Sequence, residues 1–489
     1  MLLHEILGHA ARRAPDDIAL VADGVSRTFA ELDDRVGRLA GVLDRVATRG
    51  DRIAVVADNC GAWVECYYGV PRAGMVLTPL NQRLTPGEQA VLLAAAEPTV
   101  LIGERHRLDA LAPLAERFPS VHTVAAVDEP GWDELLASAD PLEPLVPQHP
   151  DEAAWLLFTS GTTGRPKGVV LTHTSLVTGA LGTALARPVL HDDVFLTCFP
   201  LCHVAGYNVI VFHLHGRPSV VLPRFRADEL AAAVDAHGVT VASLAPTMLR
   251  ALLDELDAAH PLASLRRVTY GASPMPPELL RQAVERLGVS FSEGYGMTEL
   301  SGNAVHDGHP TSLVSIRVVD DAGRDVPPGG IGEIVARGDQ VTAGYWRDPV
   351  ATAEAFTGGW FHSGDLGTWD EEGRLHVVDR RKDIIVTGGE NVASREVEDV
   401  LHDHPGVAAV AVVGVPDAYW GESICAVVVP RDRGALTLYE LVSFARTRLA
   451  GFKQPRHVVL VDALPVNAAG KVLKAELRRL AAEHLGEDR

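Results

Sequence analysis

Through residues 1 to about 300, short apolar runs alternate with amphipathic stretches, and that alternation limits the possible folds more than any single residue does. Arg52-Ile53-Ala54-Val55-Val56-Ala57 has the composition of a buried strand, and Met75-Val76-Leu77 of the next. Thr85-Pro86-Gly87-Glu88 then opens a helix: Thr and Glu are spaced for a capping box, and Pro sits in the first turn, where its missing N–H costs nothing. Pro98-Thr99-Val100-Leu101-Ile102 returns to strand. This β-α-β succession predicts an α/β fold built on doubly wound, mostly parallel sheet, since parallel neighbours need a crossover and a helix supplies it.

The pattern changes twice. Within residues 315–348 the short strands Ser315-Ile316-Arg317-Val318-Val319 and Gly332-Glu333-Ile334-Val335-Ala336 are separated by Asp-Asp, Pro-Pro and Gly-Gly turns, which predicts a small antiparallel β-barrel over about 315–375. Beyond Asp379-Arg380-Arg381-Lys382-Asp383 come a helix near 394–403, strands at 407–414 and 423–429, a helix from the second capping box (Thr437 to Glu440) to about Leu449, and a strand near 457–462. This is the pattern of a small α+β domain, residues 382–489, following a larger one, residues 1–381. A chain of 489 residues has room for about three folding units.

Charge narrows the partners. The formal net charge is −20, from 44 basic against 64 acidic side chains, and such a surface repels nucleic-acid backbones. Any phosphate must therefore be held by a local device. The first residues lack the basic and apolar regions of a signal peptide, and no apolar run reaches the roughly 18 residues of a membrane span. Five cysteines, Cys60, Cys66, Cys198, Cys202 and Cys425, are an odd and sparse set that suits a reducing cytoplasm.

The phosphate device is Leu156-Leu157-Phe158-Thr159-Ser160-Gly161-Thr162-Thr163-Gly164-Arg165-Pro166-Lys167-Gly168. Its glycines let backbone N–H groups turn inward, its hydroxyls add donors and Lys167 adds a mobile charge, an inventory matched to a polyphosphate. It is not a Walker loop, because Gly168 rather than Ser or Thr follows Lys167 and the chain continues into strand. Cys198, Cys202 and His203 match no common zinc spacing, and His213 and His215 have the setting of core or helix histidines.

The loop resembles the phosphate-binding signature of the adenylate-forming superfamily, which includes acyl-CoA synthetases, luciferases and the adenylation domains of peptide synthetases. Four more segments match in order: Tyr295-Gly296-Met297-Thr298-Glu299; Trp360-Phe361-His362-Ser363-Gly364-Asp365; Asp379 to Asp383 with Gly388-Gly389-Glu390-Asn391; and Pro465-Val466-Asn467-Ala468-Ala469-Gly470-Lys471. The resemblance covers nearly the whole chain. It implies a large N-terminal domain of two doubly wound sheets plus the barrel, a small mobile C-terminal domain with its hinge at Lys382, and an ATP-dependent acid–thiol ligase that makes acyl-AMP and then a CoA thioester.

Site roles follow by the same resemblance. Thr159 to Gly164, Lys167, Gly271, Ala272, Ser273, Glu293, Gly294 and Tyr295 would surround ATP, with Tyr295 stacked on adenine. Thr298 would contact the α-phosphate, and Glu299 with Thr162 would hold Mg²⁺. Asp365 would accept the ribose hydroxyls, with Arg380 beside it. Lys471 would bridge the carboxylate and α-phosphate. His203, Val204, Gly206, Tyr207, Asn208, Met297 and Gly302 would line the acid, with His203 as its gate. Gly388, Gly389 and Trp420 would pass pantetheine. The acceptor is coenzyme A or the phosphopantetheine of a carrier protein, and the chain is a monomer or a homodimer.

One interval departs from the pattern. Only residues 300–316 separate Glu299 from the next strand, whereas the family carries a longer Gly-rich stretch there, of which Asp307-Gly308-His309-Pro310 is the nearest remnant. With Gly206, Gly271 and Gly302 adding little bulk, the loss predicts an open pocket for a large, mainly apolar acid. It also leaves open an enzyme that performs only thioester formation from a supplied acyl-AMP.

Overall fold

In a computed structural model of the chain every residue is described except 129, 143–147, 160–165, 257–261, 272–274, 388–389, 418, 432–435, 447, 468–470 and 488–489. The chain forms two compact units: residues 1–275, 281–315 and 336–361 in the first, and 276–280, 316–335 and 362–489 in the second.

Two sheets organise the first unit. In the nine-stranded one, six strands run parallel in the spatial order Ser290–Met297, Arg267–Gly271, Val241–Ser243, Phe195–Thr197, Ser219–Val221, Ile18–Ala22, so the chain crosses over repeatedly, as the alternating pattern requires. Antiparallel strands close both edges, Val25–Thr28 on one side and Gly302–His306 with His309–Pro310 on the other. In the seven-stranded sheet Arg52–Val56 lies between Val76–Pro79 and Val100–Gly103 and runs parallel to both. Thr85 and Glu88 form the expected capping box on the helix Pro86–Ala96.

Between the sheets runs the helix Gly61–Arg72, buried along its length, with Trp63, Tyr67 and Tyr68 fully enclosed. Tyr68 meets His213 Nδ1 at 3.0 Å while the other ring nitrogen lies 3.0 Å from the Ala19 carbonyl. Burial lowers His213 to about 4, so a neutral ring can bridge helix to strand.

In the second unit the antiparallel pair Val407–Asp417 and Gly421–Pro430 forms the backbone of a sheet that also includes Ile385–Thr387, Glu390–Val392 and the parallel His457–Leu460. Its near-continuous valines follow from burial on both faces. Val412, Ile424 and Val428 pack under the helices Ser394–His402 and Leu438–Ala445, while Val413, Cys425 and Val427 pack against Leu477 of Lys474–Glu487. The helix expected to reach Leu449 ends at Ala445.

The second unit also takes in residues 362–381. Asp379 accepts from the backbone N–H and hydroxyl of Ser394 at 2.7 and 2.5 Å, and Arg395 donates to the Val377 carbonyl at 3.2 Å. Strand Leu375–Arg380 is thereby stitched to the helix beyond Lys382, and Asp365 and Arg380 lie in the same unit as Lys471.

Candidate active site

Strands Ala153–Thr159 and Lys167–Thr172 pair antiparallel with Thr159 opposite Lys167, which brings together the two ends of the Gly/Thr loop. Ser160, Gly161, Thr162, Thr163 and Gly164 themselves lie outside the described residues. The Lys167 ammonium sits 4.9 Å from the centre of the Tyr345 ring, and the Tyr345 hydroxyl donates to Glu299 Oε1 at 3.2 Å. Burial first, and the Glu299 carboxylate second, push the Tyr345 phenol up, so it remains a donor.

Local backbone geometry places the residue that bears that carboxylate. The strand Ser290–Met297 ends in a single turn, Thr298–Leu300, closed by Ser301 in the left-handed region at φ 53°. The Glu299 carbonyl accepts the Thr342 N–H at 2.7 Å. Thr298 shares the turn, and Tyr295 lies three residues before it on the strand, opposite Val305.

Two of the predicted nucleotide-contacting glycines have a packing reason of their own. A Cβ on Gly271 would lie 2.5 Å from the Gly294 carbonyl oxygen, and one on Gly294 would lie 2.2 Å from Asn303 Nδ2. Glu293 is exposed, and its N–H donates to Asp307 at 2.7 Å. Ala272 and Ser273 lie outside the described residues.

At the acid end, His203 precedes the turn Val204–Gly206 and the helix Tyr207–Leu214. Its Nε2 is 3.3 Å from Asn81 Nδ2. Burial, then Arg83, lowers it to about 4, so the imidazole is neutral at physiological pH. Cys202 Sγ pairs with Gln82 at 3.2 Å. Tyr207 is fully buried, with its hydroxyl 3.0 Å from Thr183 and accepting the Asn303 N–H at 3.3 Å. Asn208 accepts from Arg187 at 3.0 Å.

Among the described residues, two of the glycines expected to leave this end open face aromatic rings. The space left by Gly206 is taken by Tyr67, whose hydroxyl lies 1.9 Å from where a Cβ would stand, and the space left by Gly302 by the Tyr207 ring at 2.7 Å. Residues 302–310 form a hairpin rather than a remnant loop: Asp307 and Gly308, at φ 49° and 82°, make its two-residue turn, and His306 pairs with His309.

In the second unit Asp365 lies opposite Arg380 on adjoining strands, with Arg380 Nε 3.2 Å from its carboxylate. Asp365 is 5% exposed, on a strand in which the preceding Gly364 has φ 72° and its N–H donates to Glu333 at 3.0 Å. Lys471 keeps its backbone in place through Asn467, with 2.8 Å from its N–H to Oδ1. Its surface is exposed, yet burial of the ammonium lowers it to about 8, helped by Arg380 and Lys382 and opposed by Asp365 and Asp383. The Lys382 carbonyl and the Asp383 carboxylate both accept from Arg478 Nη2, at 3.1 and 2.8 Å. Gly388 and Gly389 lie outside the described residues. Trp420 is not a core residue: it is 38% exposed beneath the Arg456 guanidinium, 4.3 Å from the ring centre.

The family model described as AMP-binding enzyme matches residues 7–346, and that of the AMP-binding enzyme C-terminal domain matches residues 396–471. The chain belongs to the AMP-binding enzyme family. A feruloyl-CoA synthase of an Amycolatopsis species is 39% identical over 96% of this chain and 97% of its own. The ATP-bound MatB of Rhodopseudomonas palustris superposes with a TM-score of 0.91 at 31% identity, covering 99% and 100% of the two chains. The o-succinylbenzoate CoA synthetase of Bacillus subtilis, held with its acyl-adenylate intermediate, gives 0.87 at 31% identity and 97% of each. This AMP-binding enzyme is therefore an ATP-dependent, AMP-forming ligase of the acyl-CoA synthetase type.

The structure of this AMP-binding enzyme groups Lys167, Thr298 and Glu299 in one unit and Asp365, Arg380, Lys382 and Lys471 in the other. Two residues absent from the sequence expectations join them. Tyr345 links Lys167 to Glu299, and its only local signal is the pair Gly344-Tyr345 beside Trp346. Arg187 is 5% exposed, and nothing in its neighbours in sequence marks it. Among the described residues no helix is long and apolar enough to cross a membrane.

Proposed function

We propose that this enzyme activates an aromatic carboxylic acid with ATP and passes the acyl group to coenzyme A. The observation that carries this reading is the line Lys167–Tyr345–Glu299 where the Gly/Thr loop meets its sheet. A cation and a carboxylate on one aromatic spacer suit the two charges of a metal-bound polyphosphate. Glu299, with Thr162, would hold Mg²⁺: carboxylate and hydroxyl oxygens are the hard donors that ion takes. When bound, it would offset charge on the leaving pyrophosphate.

Thr298 contacts the α-phosphate in this scheme, Tyr295 stacks on adenine, and Asp365 with Arg380 takes the ribose hydroxyls. His203, neutral, borders the acid without adding a charge beside its carboxylate. Lys471 brings its ammonium to the carboxylate and α-phosphate as charge develops there. Rotation about Lys382 then replaces Lys471 by the Gly388-Gly389 segment, which with Trp420 passes the thiol of CoA. A reducing cytoplasm suits the five free cysteines, of which Cys198, Cys202 and Cys425 have thiols pushed up by burial to about 12.

The acid is read as aromatic rather than simply large and apolar because Tyr67 and Tyr207 fill the space that Gly206 and Gly302 leave. The relative named for feruloyl-CoA, at 39% identity, points the same way. ATP–pyrophosphate exchange and thioester formation with acetate, octanoate, benzoate and ferulate test the reading, each acid also being offered as its acyl-AMP. An aromatic acid should give the highest kcat/KM in both assays. Turnover of acyl-AMP without exchange for any acid would restrict the enzyme to the second half-reaction.

A further inference from the structure

Arg187 follows the helix His173–Ala186 and is 5% exposed. Among the described residues its side chain makes one hydrogen bond, from Nη2 to Asn208 Oδ1 at 3.0 Å, and no carboxylate lies within ion-pairing distance. The two acids whose fields reach it are engaged elsewhere. Asp193 accepts from Arg266 and Thr240, both at 2.8 Å, and Asp307 accepts from Ser292 and from the Glu293 N–H. A guanidinium carries five N–H donors and stays charged, so burial with a single neutral acceptor is costly unless something else completes the site.

Its surroundings add donors and neutral groups. One turn back on the same helix, Thr183 meets the Tyr207 hydroxyl at 3.0 Å and His306 Nε2 at 3.4 Å. Burial, then Arg187 itself, lowers His306 to about 3, so that ring brings no compensating charge and stays neutral. The Asn208 amide is already committed at both ends: Oδ1 to Arg187 and Nδ2 to the Ala205 carbonyl at 3.0 Å. Tyr207 and Asn208 open the helix that follows His203, which borders the acid in the proposed reaction. Through Asn208, Arg187 is tied to the start of that helix.

We propose that Arg187 is the specificity-determining residue of the acid pocket and reads an oxygen acceptor at the far end of the substrate, a second carboxylate or phenolate oxygen above a neutral one. This rests on the activation of an aromatic acid at His203–Asn208. An acid that carries such an oxygen supplies the missing partner; an acid ending in a methyl group leaves the guanidinium as it stands, after desolvating it further.

The test compares cinnamate derivatives bearing carboxylate, hydroxyl or methyl at the 4-position. Binding is measured by calorimetry and turnover by thioester formation, with wild type, Arg187→Met and Arg187→Lys. Wild type should prefer the 4-carboxylate or 4-hydroxyl acid over the 4-methyl acid. That preference should fall about 10- to 100-fold in Arg187→Met, as expected for losing hydrogen bonds to a charged group, and return in part in Arg187→Lys. A wild type that favours the 4-methyl acid, or a ratio unchanged in Arg187→Met, overturns the proposal. If Arg187→Met does not fold, the Arg187→Lys ratio decides, because lysine keeps the charge and loses the fork that takes a carboxylate in two bonds. Binding with the expected ratio but no thioester from any acid would overturn the proposed reaction and leave the role of Arg187 standing.

Discussion

The Tyr345 hydroxyl donates to the Glu299 carboxylate across 46 positions of sequence, at 3.2 Å, from a ring that also faces Lys167. The carboxylate is oriented from outside its own turn, in the way partners of metal ligands commonly are. Tyr345→Phe keeps the ring beneath Lys167 and removes only this hydrogen bond. The expected outcome is a 10- to 100-fold fall in apparent Mg²⁺ affinity or in pyrophosphate exchange, with the melting temperature little changed. A change within twofold in both would separate Tyr345 from the metal.

Lys471 should give adenylation an alkaline limb near pH 8. Its folded value lies below the ordinary 10.5, at about 8, so the ammonium is present below that pH and lost as pH rises through it. Pyrophosphate exchange should therefore decline above pH 8, while thioester formation from presynthesised acyl-AMP should not share that limb. Lys471→Arg should carry the limb beyond pH 9, and Lys471→Ala should cut exchange on the order of 10²–10³. Exchange that is flat from pH 7 to 10 in wild type excludes the lysine.

A rotation about Lys382 has to break the hydrogen bonds between Asp379 and Ser394, because these residues stand on either side of the hinge. Asp379→Ala should lower stability by about 1–3 kcal/mol, the scale of a lost buried acceptor at a helix start, read from denaturant unfolding. It should also shift the ratio of the two half-reaction rates, since one of the two arrangements loses a tie the other need not have. Lys382→Pro, with φ held near −65°, should impair one half-reaction far more than the other. Equal losses in both steps count against a hinge there.

What was legible in the sequence was mostly local. The capping boxes at Thr85 and Thr437 appear as the spacing dictates, since both partners sit within one helical turn. The parallel sheets followed from an alternation repeated over hundreds of residues. The acid pocket was harder to read, because a glycine declares a missing side chain and not what fills the space. Tyr67 is 139 residues from Gly206, and Tyr207 is 95 from Gly302, so neither neighbour had a local signal. Arg187 is inconspicuous for a similar reason: an arginine is ordinary until its burial is known.

The glycine argument yields the last prediction. A Cβ on Gly206 would stand 1.9 Å from the Tyr67 hydroxyl and 2.8 Å from the ring carbon that bears it. That hydroxyl is fixed by a hydrogen bond to the Leu201 carbonyl, and the ring lies against Trp155 at 4.6 Å between centres. Tyr67 therefore cannot swing away without disturbing the core. Gly206→Ala should destabilise the enzyme by about 1–3 kcal/mol, as overpacking of a filled core does. Adding Tyr67→Phe removes the shorter contact but leaves the ring, so the double variant should recover part of that loss and not all of it. The relevant quantity is the interaction energy of the mutant cycle from chemical unfolding, which must be non-zero for two groups in contact. Were Gly206→Ala neutral in stability and merely slower with bulky acids, the glycine would be opening the acid pocket after all.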